Sequence, residues 1–182
     1  SKNFAEIHSR EVAKKLIKDE KIRVNGKIVT KPAFETTAED QIEILEQMPF
    51  VSRGGEKLHA ALSAFNIDVK KRIAIDIGAS TGGFTDCLLQ NGVEKVYCID
   101  VGTAQLHPSL QNNPKINNYE HVNARFLTQY VAEKRVSFTP APTLLVMDVS
   151  FISVTKIIPE VAQIMAAGSD FIVLIKPQFE ME

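Results

Sequence analysis

The sequence predicts a doubly wound α/β domain with a mainly parallel sheet, preceded by a small basic α+β module. Three observations carry this reading. Apolar stretches suited to strands alternate with amphipathic stretches between residues 73 and 176, the pattern of a parallel sheet with helices on both faces. The first of those strands runs straight into a glycine-rich turn, Asp76-Ile-Gly78-Ala-Ser80-Thr-Gly82-Gly83. The charge is also uneven. Residues 1–31 carry nine Lys/Arg against four Asp/Glu, and residues 32–182 carry twelve against eighteen, although the net charge is only -1. A basic piece ahead of an acidic one fits equally a nucleic-acid-binding module joined to a domain of another kind and a solvated basic helix face.

The module comes first. In residues 9–18 the apolar Val12, Ala13, Leu16 and Ile17 form one helical stripe, while Arg10, Lys14 and Lys18 recur every four residues on another face. Ser9 is placed to cap that helix. Residues 21–32 read as two short strands about Asn25-Gly26, the dipeptide best suited to a type I′ turn, and residues 42–45 supply another strand. A cationic helix and a hairpin bearing Arg23 and Lys27 make a surface that can follow a phosphate backbone. The module is expected over residues 1–47, and the Pro and Gly of residues 48–55 mark a linker.

The larger domain is expected over residues 56–182, opening with a helix at 56–65 that turns Leu58, Ala61, Leu62 and Phe65 inward. Strands follow at 73–77, 95–100, 116–122, 143–149 and 171–176, with helices at 82–91, 103–112, 125–134 and 154–167 between them. In such a sheet the ligand lies at the carboxyl ends of the strands. Residues 171–175 are as apolar as a central strand, and a chain stopping just beyond them leaves an open edge. Further sheet is therefore expected beyond residue 182.

The turn after the first strand gives the chemistry. Gly78, Gly82 and Gly83 allow backbone geometry and close approach that a Cβ obstructs. Ser80 stands where a dinucleotide fingerprint has its second glycine, and Asp76 precedes Gly78 by two residues. This looks more like an S-adenosylmethionine loop than a dinucleotide loop. Asp100, ending the second strand, is placed to accept from ribose hydroxyls, and Asn123, after the third, to meet the adenine edge. Gly78-Ala-Ser80-Thr-Gly82 also satisfies the nucleophile elbow of α/β-hydrolases. A hydrolase needs its histidine after the acid, however, and His8, His59, His107 and His121 all precede Asp148.

Several classes are set aside. No apolar run approaches the roughly 20 residues that span a bilayer, and the amino terminus lacks a signal-peptide core. A cytoplasmic protein without a membrane partner is expected. Cys87 and Cys98 lack metal-ligand spacing and read as buried free thiols; no metal is expected.

Ser9-Arg-x-x-Ala-x-x-Leu-Ile17, Val24-Asn-Gly26 and Lys31-Pro32 resemble the α-L RNA-binding domain of a small-subunit ribosomal protein and several RNA-modifying enzymes. Glu20 departs from that pattern, which has glycine at the helix end, and the usual preceding helix is short or missing. The whole chain resembles the TlyA family, often labelled haemolysins. The shared segments are Val51-Ser-Arg-Gly-Gly-Glu-Lys57-Leu, the glycine loop, Asp100-Val-Gly-Thr-x-Gln-Leu106, Met147-Asp-Val-Ser-Phe-Ile-Ser153 and Ile175-Lys-Pro-Gln-Phe-Glu180. The segment Gln105–Ser109 departs from the family, which has an aromatic residue near position 108.

The resemblance implies a Rossmann-like, FtsJ-type ribosomal RNA 2′-O-methyltransferase acting on cytidine with S-adenosylmethionine. Its partner would be ribosomal RNA or a ribosomal subunit. The first three members of a Lys-Asp-Lys-Glu tetrad fall on Lys57, Asp148 and Lys176, with the glutamate beyond residue 182. Burial and a neighbouring cation disfavour an ammonium, which suits Lys176 beside Lys57 as general base, with Asp148 orienting it. Arg53 is a further candidate for RNA contact. The rival readings are an RNA-binding protein with an inactive methyltransferase domain and, from the haemolysin label, a pore-forming protein.

Overall fold

The structure is a computed structural model that describes residues 9–45 and 49–181. The missing or shortened helix ahead of residue 9, and the part of the expected module and linker at residues 46–48, lie outside the described residues. The chain divides into two compact units between residues 48 and 49.

In the first unit α1 (Arg10–Lys18) starts where the Ser9 hydroxyl accepts from the Val12 N–H at 3.2 Å. Its Leu16 packs with Ile22, Val24 and Val29 in a small buried core. Strands β1 (Ile22–Val24), β2 (Lys27–Ile28) and β3 (Ile42–Ile44) pair antiparallel in the order β2-β1-β3. Asn25 and Gly26 both take positive φ, 49° and 78°, as a type I′ turn requires. Asn25 does a second job: its Nδ2 donates to Asp40 Oδ1 at 2.6 Å and its Oδ1 accepts from the Gln41 N–H at 2.8 Å. The turn is thereby tied to the loop entering β3.

The second unit is built from α2 (Arg53–Ala64), β4 (Ile73–Ile77), α3 (Gly83–Gln90), β5 (Lys95–Ile99), α4 (Pro108–Gln111), β6 (Ile116–Tyr119), α5 (Leu127–Ala132), β7 (Leu144–Met147), α6 (Ile158–Ala162), β8 (Asp170–Val173) and α7 (Pro177–Glu180). Its five strands are all parallel, in the order β6-β5-β4-β7-β8. Period-two alternation explains the unbroken apolar runs. Ala74, Val96, Leu144 and Val146 pack against Leu58, Phe84 and Leu88 on one face, while Ile75, Ile77, Tyr97, Leu145 and Met147 pack against Leu127 and Val161 on the other.

Several elements differ from expectation. α2 begins at Arg53, so Gly54 and Gly55 form a first helical turn rather than linker; Gly55 lies against the Phe50 ring, where a Cβ would come within 2.4 Å. Phe65 does not face inward but is 71 % exposed. The helix expected over 103–112 shrinks to α4, because Ala104 takes a positive φ and Pro108 begins the helix. The expected helices at 125–134 and 154–167 break into 3₁₀ turns, Ala124–Phe126 and Val154–Lys156, followed by the short α5 and α6. Pro159 in the first turn of α6 explains that break. β8 is an edge strand among the described residues, with Phe171 39 % exposed. Its start is clasped by Arg72, whose guanidinium donates to the Asp170 carboxylate and the Thr143 carbonyl.

Candidate active site

The carboxyl ends of β4, β5, β7 and β8 gather most of the predicted residues. The β4–α3 turn is wound tightly: Gly78 has φ 80° and Ser80 φ 50°, and Gly78 N–H donates to the Ile99 carbonyl at 2.9 Å. Asp100 stabilises it. One carboxylate oxygen accepts from the Ser80 N–H and the other from the Gly102 N–H, each at 2.7 Å. Ser80 tolerates its left-handed backbone because that bond holds it there.

Asp76 is 1 % exposed, with Oδ2 accepting from Thr85 Oγ1 at 2.7 Å and Oδ1 lacking a partner. Burial pushes its carboxyl up to about 7 against the opposing Thr85 bonds, with the charges of Asp100 and Asp148 adding to the rise. Thr85 also lies 3.1 Å from the Cys98 thiol. Both cysteines are free and buried, and burial raises both thiols, that of Cys87 to about 12.

Three residues distant in sequence meet over the turn. Lys57 comes from the first turns of α2, Asp148 follows β7, and Lys176 follows β8 as the N-cap of α7. Lys57 Nζ stands 3.0 Å from Asp148 Oδ2 and Lys176 Nζ 2.7 Å from Asp148 Oδ1. Burial works to raise the Asp148 carboxyl, but the two lysines prevail and hold it below the ordinary range. Lys176 Nζ also donates to Ser150 Oγ at 2.7 Å. A cavity of about 300 Å³ is shared by this cluster and the turn, touching Gly78, Ser80, Gly83, Lys57, Asp148 and Lys176.

The glycines have distinct duties. A Cβ on Gly82 would fall 2.6–2.7 Å from the Leu110 and Leu106 side chains, so this position serves close packing. Leu106 comes from the very segment that departs from the family pattern. A Cβ on Gly83 would lie 2.2 Å from Ser52 Oγ and 2.9 Å from the Gly55 nitrogen, so Gly83 lets the amino ends of α2 and α3 touch. Ser52, Gly54 and Gly83 all line the cavity, which therefore faces two helix amino termini.

Asp76, Gly82, Asp100 and Asn123 do not line it. Asn123 caps the 3₁₀ turn that follows, accepting from the Arg125 N–H at 3.1 Å. In the first unit Arg10, Lys14, Lys18 and Lys27 are exposed, whereas Arg23 is paired with Glu43 at 3.3 Å. Arg53 is exposed at the start of α2. Sequence reasoning missed Ser52 and Ser150. A hydroxyl two residues past the carboxylate that ends a strand was the available signal for the latter.

An FtsJ-like methyltransferase profile matches residues 50–182, and an S4 domain profile matches residues 5–42. The chain is 42% identical to Hemolysin A of Brachyspira hyodysenteriae over 96% of its own length and 70% of the relative's. It is 32% identical to the 23S rRNA (cytidine-2'-O)-methyltransferase TlyA of Campylobacter jejuni, over 95% of this chain and 71% of that one. The chain belongs to the TlyA family of FtsJ-like methyltransferases. Another TlyA family member, the 16S/23S rRNA (cytidine-2'-O)-methyltransferase of Mycobacterium tuberculosis, is 39% identical over 95% of this chain and 63% of its own length. A solved structure of a candidate hemolysin from Streptococcus thermophilus aligns with TM-score 0.70 and 38% identity, over 96% of this chain and 62% of that one. The present chain thus spans just under two thirds of the length of some of these relatives. Among the described residues no helix is long and apolar enough to cross a membrane.

Proposed function

We propose that the protein transfers a methyl group from S-adenosylmethionine to a ribose 2′-hydroxyl of ribosomal RNA. The observation that supports this best is the single cavity touching both the glycine turn and the Lys57–Asp148–Lys176 cluster. A methyl donor and the groups that handle the proton would share one space. The names borne by the relatives from Campylobacter jejuni and Mycobacterium tuberculosis favour cytidine as the target.

The residues present suit the cofactor. Gly78, Ser80 and Gly83 offer backbone and small side chains along the cavity, and the meeting amino termini of α2 and α3 suit a carboxylate. Asp100, already ordering the turn through two backbone bonds, keeps lone pairs for a ribose. Asp76, just ahead of the turn, keeps a buried oxygen without a partner.

When bound, S-adenosylmethionine supplies a methyl group activated by its sulfonium. Lys176, whose ammonium pairs with Asp148 and donates to Ser150, would first release a proton to solvent, and its amine would then take the proton of the attacking ribose hydroxyl. Asp148, held ionised between two lysines, aims Lys176 at the hydroxyl. Lys57 balances the carboxylate charge, leaving Lys176 as the proton acceptor. Arg10, Lys14, Lys18 and Lys27, with Arg53 in the second unit, would contact the RNA backbone, and Arg23 less so because Glu43 already holds it.

The test is transfer of labelled methyl to unmethylated ribosomal RNA or subunits by the full-length protein, beside Lys176→Ala. Label that resists alkaline cleavage at one nucleotide, and is lost in the variant, is the expected result. A folded protein giving no transfer to RNA or to either subunit overturns the proposal.

A further inference from the structure

Lys176 is held in place from two directions, and one of them has no place in the lysine–aspartate chemistry. Upstream, β8 is bonded into the sheet, and Leu174 N–H donates to the Met147 carbonyl at 2.9 Å. Downstream, among the described residues, lies α7, a single turn without a buried residue. A single turn is not stable by itself, and among the described residues side-chain contacts hold this one in place.

Those contacts converge on Glu180. Its Oε2 accepts from Ser153 Oγ at 2.6 Å and its Oε1 from the Val154 N–H at 3.1 Å. The carboxylate thereby caps the 3₁₀ turn that follows the Asp148–Ser153 loop, satisfying a backbone donor that otherwise lacks a partner within that turn. Next to it the Phe179 ring lies 5.1 Å from that of Phe151, centroid to centroid. The loop carrying Asp148 and Ser150 is therefore stitched to the turn carrying Lys176 at both ends: by Lys176 itself, and by Glu180 four residues on.

We infer that Glu180 is a positioning residue for Lys176, fixing its amine over Asp148 and Ser150 by anchoring α7 to the loop after β7. Glu180 does not line the cavity and touches no reacting atom. Its effect passes through the backbone of one helical turn. The inference rests on the methyltransferase reading for its consequence in rate, but not for the geometry it asserts.

Two measurements on the full-length protein separate the two. The first is kcat, KM and cofactor affinity for Glu180→Ala and Glu180→Gln. Misplacing a reacting group by about an ångström costs on the order of 100-fold in rate. Glu180→Ala should lower kcat by about 10- to 100-fold with cofactor affinity within about 2-fold of wild type, and Glu180→Gln, whose amide oxygen can accept from the Val154 N–H while its NH2 donates to Ser153 Oγ, should recover most of it. A merely structural role would move cofactor affinity and melting temperature together with the rate. The second is the side-chain NMR resonance of Lys176 Nζ, assigned by its loss in Lys176→Arg. It should shift in Glu180→Ala and return in Glu180→Gln.

An active wild type with unchanged kcat in Glu180→Ala, or an unshifted Lys176 resonance, overturns the inference. If the wild type transfers no methyl, the functional reading fails and the resonance alone decides whether Glu180 positions Lys176.

Discussion

Lys176 reaches Asp148 across the gap between two neighbouring strand ends, with Nζ 2.7 Å from Oδ1, and the register of β7 beside β8 makes the meeting possible. Met147 pairs with Val173, so the residue after one strand and the third residue after the other leave the sheet side by side. Lys57 completes the arrangement from a helix 91 residues earlier in the chain.

The ion cluster carries a pH signature. The Asp148 carboxyl is held below its ordinary value in the folded protein. The stability it contributes is thus complete above about pH 4, its unfolded value, and is lost as pH falls through the lower folded value. Asp148→Asn should flatten that acid limb in thermal melts between about pH 5 and 2, and should lower methyl transfer by about 100-fold or more at neutral pH.

Asp76 behaves in the opposite sense. With its carboxyl raised to about 7 by burial, the folded state holds a proton that the unfolded state has released above about pH 4, so stability falls as pH rises from there to about 7. Asp76→Asn keeps an acceptor for Thr85 and abolishes that loss. The variant should melt a few degrees higher than wild type at pH 8 and little differently at pH 4.

Gly83→Ala tests the junction of α2 and α3. Its Cβ would lie 2.9 Å from the Gly55 nitrogen, which is backbone and cannot swing away. Overpacking of this kind costs about 1–3 kcal/mol, visible as a lower denaturant midpoint. Because the same junction lines the cavity, cofactor affinity should fall as well.

Phe151 is 91 % exposed and has φ 64°, an unfavourable backbone for an aromatic residue with no burial to offset it. An exposed ring one residue from Ser150 is placed to stack on a base brought to the cavity. Base stacking on an aromatic is worth about 1–3 kcal/mol. Phe151→Ala should weaken kcat/KM for RNA by about 10-fold while leaving cofactor affinity unchanged.

Glu20, where the α-L pattern has glycine, takes φ 59° immediately after the cap of α1. Replacing it by glycine removes a Cβ penalty of about 1 kcal/mol. Glu20→Gly should slow hydrogen exchange of the α1 amides.

Local patterns in the chain were enough to read strands, turns and motifs. Ser9, Asn25-Gly26, the apolar stretch from Ile73 to Ile77 and the glycines after Asp76 each act through neighbours a few residues away, so spacing alone reveals them. Helix lengths were less legible at 103–112, 125–134 and 154–167, because tertiary packing and prolines cut them into single turns where periodicity ran on. The duties of Gly82 and Gly83 were hidden for a related reason. What a missing Cβ makes room for lies elsewhere in the chain: Leu106 and Leu110 in one case, Ser52 and Gly55 in the other.

The covalent order of residues thus carries the identity of the fold and the kinds of group available for chemistry, since propensity and periodicity are properties of short segments. Which groups touch is a matter of strand register and helix docking. Only the folded chain puts Lys57 and Lys176 on one carboxylate, spends Arg23 on Glu43 and Asn123 on a turn, and sets Glu180 against Ser153. Contacts between residues tens of positions apart leave no periodic trace in the sequence, because each depends on the summed geometry of every element between them.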